Sequence, residues 1–363
     1  LKAKQRQLYQ LRIPDLGLLF HDVMEIFSKQ LRQKNISWHH LQKEQSDEII
    51  DYAVEEAAPK ISNQVLFDTS GSRYLLHRLK RISKRAAWTL TKHIQMGDFE
   101  PYGSEVIFGS ASSLPPIVIE LSGGEKLLLN GKIDRVDIMD KDNTKYVKII
   151  DYKSGSTTFD LAAIYYGLQL QLVVYMDAVT ELEKRHFPEK EVVPAGIFYY
   201  HIKDPVIEKE LVDVPEDIEE LILEQLRMNG LVNSDLEVIG HMDKEIVTKS
   251  DVIPVSMKDG LIQEHYSSVA DSRHFEALKL YVRGKVKEDG QQILSGKVLA
   301  APYKQGNQTA CDYCLYHGVC GFDLKVSGYR FRRFPAMKPK EVWEQILEGE
   351  EEDEMDQKTE GGN

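Results

Sequence analysis

The residues best suited to chemistry in this sequence are two aspartates and a lysine near its middle. Asp134 lies in the run GKIDRVD (residues 131–137), and Asp151 and Lys153 lie in IIDYKSG (residues 149–155). Both aspartates follow apolar residues of predicted strands, where a carboxylate is costly to bury unless it is paired or bound to a metal. Two carboxylates that hold Mg²⁺ or Mn²⁺, with a cation that stabilises developing negative charge, are what phosphodiester hydrolysis requires.

An Asp-x-Lys pair alone does not establish such a site, because an ordinary hairpin with a surface ion pair has the same pattern. Side chains alternate along a strand, so the aspartate and the lysine share one face in either case. Other polar residues shift the balance. Gln171 and Tyr175 are four residues apart on a predicted helix and share a face. His21 lies at the margin of an apolar helix face, and Glu105 on the first predicted strand is a candidate outer acid.

The elements that must position these residues are predicted from the periodicity of apolar residues. Helices are predicted at 16–33, 41–57, 73–92, 160–185, 215–228 and 272–290, and strands at 104–108, 117–121, 126–139, 146–152 and 193–202. This order favours an α/β fold with a mixed central sheet flanked by helices. We expect a core at residues 1–230, an extension at 231–335 that carries the cysteines, and a terminal helix with a disordered acidic tail at 336–363.

Composition and charge exclude few functions. The 363 residues are 42% hydrophobic and 29% charged, which is typical of a globular protein and not of a membrane protein. The formal charge is −12, but residues 348–363 carry −7 of it. Residues 70–97 contain seven Lys or Arg and no acid, and Arg78, Arg81 and Arg85 follow one face of a predicted helix. That face could contact a phosphate backbone, an acidic partner or solvent alone.

All three cysteines, Cys311, Cys314 and Cys320, lie within ten residues of one another. Such clustering is typical of a metal or cluster site in a reducing compartment, by default the cytoplasm, and not of a disulfide framework. With His317, the three thiolates could form a zinc site. An iron–sulfur cluster would normally require a fourth cysteine, which this sequence does not contain.

Three motifs resemble the signatures of RecB-family nucleases, which belong to the PD-(D/E)XK superfamily: Gly131-x-x-Asp134-Arg135-x-Asp137, Asp151-Tyr152-Lys153-x-Gly155 and Gln171-x-x-x-Tyr175. The helix around His21 resembles the upstream metal-binding histidine of that family. The resemblance implies metal-dependent hydrolysis of DNA. It assigns the metal to Asp134, Asp151, His21 and the backbone carbonyl of Tyr152. It makes Lys153 the catalytic cation, with Gln171 and Tyr175 positioning the lysine loop or the DNA backbone.

The segment Ala310–Phe322 resembles the C-terminal end of the AddB (RexB) family of bacterial helicase–nuclease subunits, and the match extends from about residue 10 to residue 335. This resemblance implies a four-iron four-sulfur cluster on Cys311, Cys314 and Cys320, with a fourth cysteine ahead of Leu1 in a longer protein. It also implies single-stranded DNA as substrate, unwound from double-stranded ends and cleaved 5′-to-3′ on the 5′-terminated strand.

The implied partner is an AddA-like helicase–nuclease subunit in an ATP-dependent heterodimer, and the implied process is double-strand break repair by homologous recombination in the bacterial cytoplasm. Two alternatives stay open: a separate RecB-type exonuclease with its own cluster, and a non-catalytic DNA-binding module. The intact set of Asp134, Asp151 and Lys153 favours an enzyme over the second alternative.

Overall fold

The structure is a computed structural model. It describes residues 13–62, 70–110, 112, 114–207, 215–312 and 314–360. At 13–16, 60–62, 70–73, 215–217 and 351–360 the description covers the backbone alone.

The described helices are α1 (Ile13–Gln33), α2 (Lys43–Ser62), α3 (Ser70–Gln95), α4 (Leu161–Tyr165), α5 (Gln171–His186), α6 (Pro215–Gln225), α7 (Leu236–Met242), α8 (Ser272–Leu294), α9 (His317–Cys320) and α10 (Pro339–Glu360). The described strands are β1 (Glu100–Phe108), β2 (Ile117–Glu120), β3 (Lys126–Leu129), β4 (Gly131–Lys141), β5 (Thr144–Lys153), β6 (Glu191–His201), β7 (Asn229–Asn233), β8 (Met257–Lys258), β9 (Leu261–Ile262), β10 (Val269–Ala270), β11 (Tyr303–Gln305), β12 (Gln308–Thr309) and β13 (Arg332–Arg333).

Six strands form one mixed sheet in the order β1-β4-β5-β6-β7-β10. The first three are antiparallel neighbours, whereas β6 is parallel to β5. A parallel pair requires a crossover, which α4 and α5 provide. The predicted α/β fold with a mixed sheet between helices is therefore confirmed. No helix in the described part of the chain has both the length and the apolar character needed to cross a membrane.

Helices cover both faces of the sheet, which explains why its central strands are apolar almost without interruption. On one face, α1, α2 and α3 pack against Ile150, Tyr152 and Tyr200. On the other face, α5, α8 and α10 pack against Val147 and Ile149. Alternate residues of β5 thus belong to two separate hydrophobic cores. Packing on both faces holds the strand, and with it Asp151, in place.

A fully buried ionic group connects the sheet to the N-terminal helices. The Nε of Arg135 lies 2.6 Å from the Oδ1 of Asp137, and the Nζ of Lys148 lies 3.0 Å from its Oδ2. The guanidinium of Arg135 also lies 4.7 Å from the centre of the Trp38 ring. Charges buried in this way are tolerated because each has a partner. Asp137 is therefore a structural residue beneath the site.

One predicted helix, at 160–185, is two helices in the structure. The chain leaves α4 after Tyr165 and passes through Gly167 at φ +81° before α5 begins at Gln171. A residue in this left-handed conformation cannot continue a right-handed helix, and glycine adopts it without steric cost. The break places Gln171 in the first turn of α5, next to the end of β5.

The predicted division at residue 230 falls inside β7, and β10, α8 and α10 also pack onto the same sheet or core. A strand of only five residues with asparagine at both ends gives a weak sequence signal. The acidic segment predicted to be disordered is helical as far as Glu360. The first turns of α10, ahead of the acidic segment, are held by the buried Val342 and Ile346. Glutamate has a high helix propensity, so the helix continues through the acidic segment.

Candidate active site

The candidate site lies at the edge of the sheet where β4 begins and β5 ends. These strands are antiparallel and pair Arg135 with Ile150, so Asp134 and Asp151 are the next residues along on each strand. Alternation places both carboxylates on the sheet face that packs against α5. Their side chains are 8% and 3% exposed. Topology therefore brings together two aspartates that are far apart in sequence.

Two contacts fix the carboxylate of Asp134. Its Oδ2 accepts a hydrogen bond of 2.7 Å from the backbone N–H of Tyr152. Its Oδ1 lies 3.1 Å from the Nδ1 of His21, which α1 brings to the end of the sheet. The backbone of Tyr152 thus contacts the site through the N–H group. The ring of Tyr152 packs edge-on against the ring of His21.

Glu105 completes a group of potential metal ligands. Ligand atoms of His21, Glu105 and Asp134 all lie within 4.8 Å of one another. Glu105 adopts φ +55° in β1, close to an irregularity in pairing between Pro101 and Gly103. Such local breaks in a strand re-aim side chains. Two carboxylates suit Mg²⁺ or Mn²⁺, and the imidazole adds a nitrogen donor that transition metals accept. Glu105, the acid expected in an outer role, lies inside this group.

The electrostatics of the site also fit a divalent cation. Burial and, after it, the negative charge of Asp134 raise the pKa of Asp151 to about 6, against the opposing effects of Lys153 and His21. Burial lowers the pKa of His21, but its hydrogen bond to Asp134 and the charges of both aspartates outweigh this, so its pKa is raised overall. Carboxylates held this close repel one another, and a bound cation would remove that repulsion.

Lys153 is held by a chain of polar contacts from α5. Its ammonium forms an ion pair with Asp151 and lies 3.3 Å from the Oε1 of Gln171. The amide of Gln171 in turn donates a hydrogen bond of 2.8 Å to the hydroxyl of Tyr175. The lysine also lies 5.2 Å from the centre of the Tyr199 ring. Gln171 thus contacts Lys153 directly, and Tyr175 acts on it only through Gln171. The two residues lie on one face of α5, as their spacing of four predicts.

Gly131, the first residue of its motif, allows this packing. A Cβ there would lie 2.5 Å from the ring of Phe108 and 3.1 Å from the ring of Tyr175. The two rings meet edge-on with centroids 6.0 Å apart. Any side chain at this position would force the Phe108 ring to move and would crowd the Tyr175 ring.

Two residues that contact the site were not singled out from the sequence. Lys132 forms an ion pair with Glu105, and Tyr199 lies beneath Lys153. Alternation along β4 could have found Lys132, since it precedes Asp134 by two positions. No local signal could have found Tyr199, because its contact depends on the parallel pairing that sets it opposite Asp151.

Other predicted site residues lie apart from this group. Cys311 is half-buried, while Cys314 and Cys320 are exposed. Within the described residues, the ligand atoms that converge are those of His21, Glu105 and Asp134, and the cysteines form no comparable group.

On α3, Arg78 is exposed, whereas Arg81 and Arg85 both form ion pairs with Asp204. Lys84 on the same helix pairs with Asp51 of α2. Much of the positive charge in this basic stretch is therefore compensated within the fold.

Comparison with known proteins gives a consistent family. The family model described as the PD-(D/E)XK nuclease superfamily matches residues 1–321. Several proteins that are similar over most of the chain carry names that describe one component of an ATP-dependent helicase/deoxyribonuclease. The one from Alkaliphilus oremlandii is 44% identical over 95% of this chain and 30% of its own length. The one from Caldanaerobacter subterraneus subsp. tengcongensis is 39% identical over 100% of this chain and 31% of its own length. The chain thus spans about a third of the length of these curated relatives.

Proposed function

Because this chain belongs to the PD-(D/E)XK nuclease superfamily, we propose that it hydrolyses DNA phosphodiesters with Mg²⁺ or Mn²⁺ at the site around Asp134. The observation that carries the proposal is the convergence of His21, Glu105 and Asp134 beside the ion pair of Asp151 and Lys153. Nucleases of this superfamily use divalent metals, and these residues supply suitable donors.

The residues have separate tasks in this proposal. The bound metal would activate water and neutralise charge on the phosphate. Asp134 is oriented by the Tyr152 N–H, so that its Oδ1 faces His21 and the metal position. Asp151 is a second carboxylate ligand, and the Tyr152 carbonyl stays a predicted further ligand. Lys153 stabilises the developing negative charge, and Gln171 directs its ammonium.

The relatives suggest the larger setting. Their names describe components of an ATP-dependent helicase/deoxyribonuclease, and this chain spans about a third of their length. We propose that the chain is the nuclease part of an AddB-like subunit, with an AddA-like helicase–nuclease subunit as its partner. Its substrate would be single-stranded DNA unwound from double-stranded ends, cleaved 5′-to-3′ on the 5′-terminated strand. The process would be double-strand break repair by homologous recombination in the bacterial cytoplasm.

An iron–sulfur cluster on Cys311, Cys314 and Cys320 stays a prediction. The three thiols are partly or fully exposed and do not form a convergent ligand group among the described residues. They do not fit a cluster by themselves, and zinc with His317 meets the same difficulty. No step of the proposed reaction depends on either. Iron and zinc analysis of the purified chain, compared with Cys314→Ser, would decide between them.

The test of the proposed activity is cleavage of end-labelled single-stranded DNA with Mg²⁺ or Mn²⁺. We expect the parent to cleave, and Asp151→Ala and Lys153→Ala to lose cleavage while remaining folded. Labelling either end separately reports the polarity. If the parent is inactive alone, the assay is repeated with an AddA-like partner. Inactivity there as well, with metal and DNA still bound, would favour a non-catalytic DNA-binding module.

A further inference from the structure

A groove of about 840 Å³ runs along the outer edge of β1. β1 is the terminal strand of the main sheet; among the described strands β4 is its one neighbour there, and Phe108 of β1 also forms a single bridge to Leu114. Strand residues from Tyr102 to Phe108, followed by Gly109, form one wall, and the strand part is roughly 20 Å long at the usual rise per strand residue. Arg32, in the last turn of α1, and His186, at the end of α5, line the same groove.

The groove adjoins the candidate metal group at Glu105, whereas His21 and Asp134 do not line it. Glu105 lies in its wall and is also one of the three converging ligands. Gly131, which starts the strand carrying Asp134, lines it as well. A ligand bound along the groove would therefore pass beside Glu105, next to the position at which we expect hydrolysis.

The edge of β1 is poorly suited to pairing with a peptide strand. Its register is interrupted between Pro101 and Gly103, Pro101 has no N–H to donate, and Glu105 is in a left-handed conformation. Bulges and prolines are the means by which exposed sheet edges avoid strand addition. An extended peptide could not continue the ladder past these positions, so β-augmentation is disfavoured.

The chemistry of the wall suits a single strand of nucleic acid. Tyr102 is 52% exposed, and Ile107 is 55% exposed. Partial burial and the neighbouring carboxylate of Glu183 raise the pKa of the Tyr102 hydroxyl above its ordinary value. Bases stack on such rings whatever their sequence, while Arg and backbone N–H groups contact phosphates. Glu105 carries little net repulsion here, because it pairs with Lys132.

We propose that the groove along β1 holds the single strand on either side of the bond to be cleaved, with Tyr102 as a stacking platform and Arg32 as a phosphate contact. The inference rests on the proposed nuclease function and adds a substrate path to it. The path differs from the basic face of α3, where Arg81 and Arg85 are paired with Asp204.

The test measures binding separately from cleavage. In a Lys153→Ala background, the affinity for fluorescent oligothymidine of about 16 nucleotides is compared between Tyr102→Ala, Arg32→Ala and the double variant. We expect Tyr102→Ala to weaken binding roughly tenfold, as loss of one stacked base would. Tyr102→Phe keeps the ring and should bind as the parent does. Tyr266→Ala removes a tyrosine that is 70% exposed outside the groove and should also have no effect.

A photo-crosslink gives a second readout. An oligonucleotide with 5-iodouracil should crosslink to Tyr102 in the parent, as located by mass spectrometry. Unchanged affinity in the double variant, or crosslinks confined to α3, would refute the proposal that the groove along β1 binds the single strand, even if the parent cleaves DNA. A parent that neither binds nor cleaves the oligonucleotide, with an AddA-like partner present, would overturn the proposed function itself.

Discussion

The carboxylate of Asp134 on β4 accepts a 2.7 Å hydrogen bond from the backbone N–H of Tyr152 on β5. The donor lies between Asp151 and Lys153 in the chain, so one bond fixes the first aspartate relative to the other two groups. A backbone donor is rigid, and it leaves the second oxygen of Asp134 free to face His21 at 3.1 Å. The site is thus organised by the sheet itself rather than by flexible side chains alone.

Asp134→Asn and Asp134→Ala should separate the structural and the metal-binding tasks of this residue. In Asp134→Asn the side chain still offers an oxygen to the Tyr152 N–H, so we expect the free energy of unfolding of this variant to stay near that of the parent. Alanine leaves a buried N–H without its partner, which costs about 1–3 kcal/mol. Both variants should lose Mn²⁺ binding and cleavage. Urea unfolding and calorimetric Mn²⁺ titration measure the two effects, and equal destabilisation by both variants would contradict the assignment.

Lys132→Gln should raise the affinity for Mn²⁺. The ammonium of Lys132 pairs with Glu105 and competes with a metal for that carboxylate. Because the side chain of Lys132 is 50% exposed, the competing ion pair is worth little, about 0.2–1 kcal/mol, and we expect roughly a 1.4- to 5-fold tighter Mn²⁺ complex. Lys126→Gln removes an exposed lysine that pairs with Glu120 elsewhere and is the matched control. Weaker Mn²⁺ binding in Lys132→Gln would refute the idea that Lys132 competes with the metal for the Glu105 carboxylate.

Tyr175→Phe should lower kcat with little change in KM. The substitution removes the hydroxyl that accepts the hydrogen bond from Gln171, and so loosens the amide that contacts Lys153. One neutral hydrogen bond is worth about 0.5–1.5 kcal/mol, which corresponds to a loss of up to about tenfold. Tyr166→Phe, which removes a hydroxyl bonded to the carbonyl of Pro335, should leave kcat unchanged. Equal losses in the two variants would show that Gln171 does not act through Tyr175.

His93→Gln should make the fold less sensitive to acid. Burial, aided by the nearby charges of Lys148 and Arg135, lowers the pKa of His93 to about 3. The unfolded chain, with a pKa near 6.5, therefore binds this proton first, and the parent loses stability as the pH falls from about 6.5 towards 3. The expected slope is about 1.4 kcal/mol per pH unit.

The histidine contribution is read as the difference in urea stability between the parent and His93→Gln at several pH values. Asp151, whose pKa is raised to about 6, titrates in the same window with the opposite sign, and it cancels in this difference. A difference that does not vary with pH would mean that the pKa of His93 is the same in the folded and the unfolded chain.

The sequence alone determined the motif residues and the class of fold. Asp134, Asp151 and Lys153 could be identified because strand alternation and an unusual placement of charge are local properties. Gln171 and Tyr175 could be paired because helical spacing is also local. The break at Gly167 and the strand β7 were not foreseen, because one glycine and five weakly patterned residues carry too little signal.

Tertiary structure decided what the motifs contact. Glu105 joins His21 and Asp134 through a backbone irregularity on an edge strand, and no spacing rule encodes that approach. Tyr199 comes beneath Lys153 because β6 pairs in parallel with β5 after a long crossover. The charges of Arg81 and Arg85, which looked available in the sequence, are compensated by Asp204 more than 100 residues away. Local periodicity fixes which face a side chain takes, whereas long-range pairing fixes which partner it meets there.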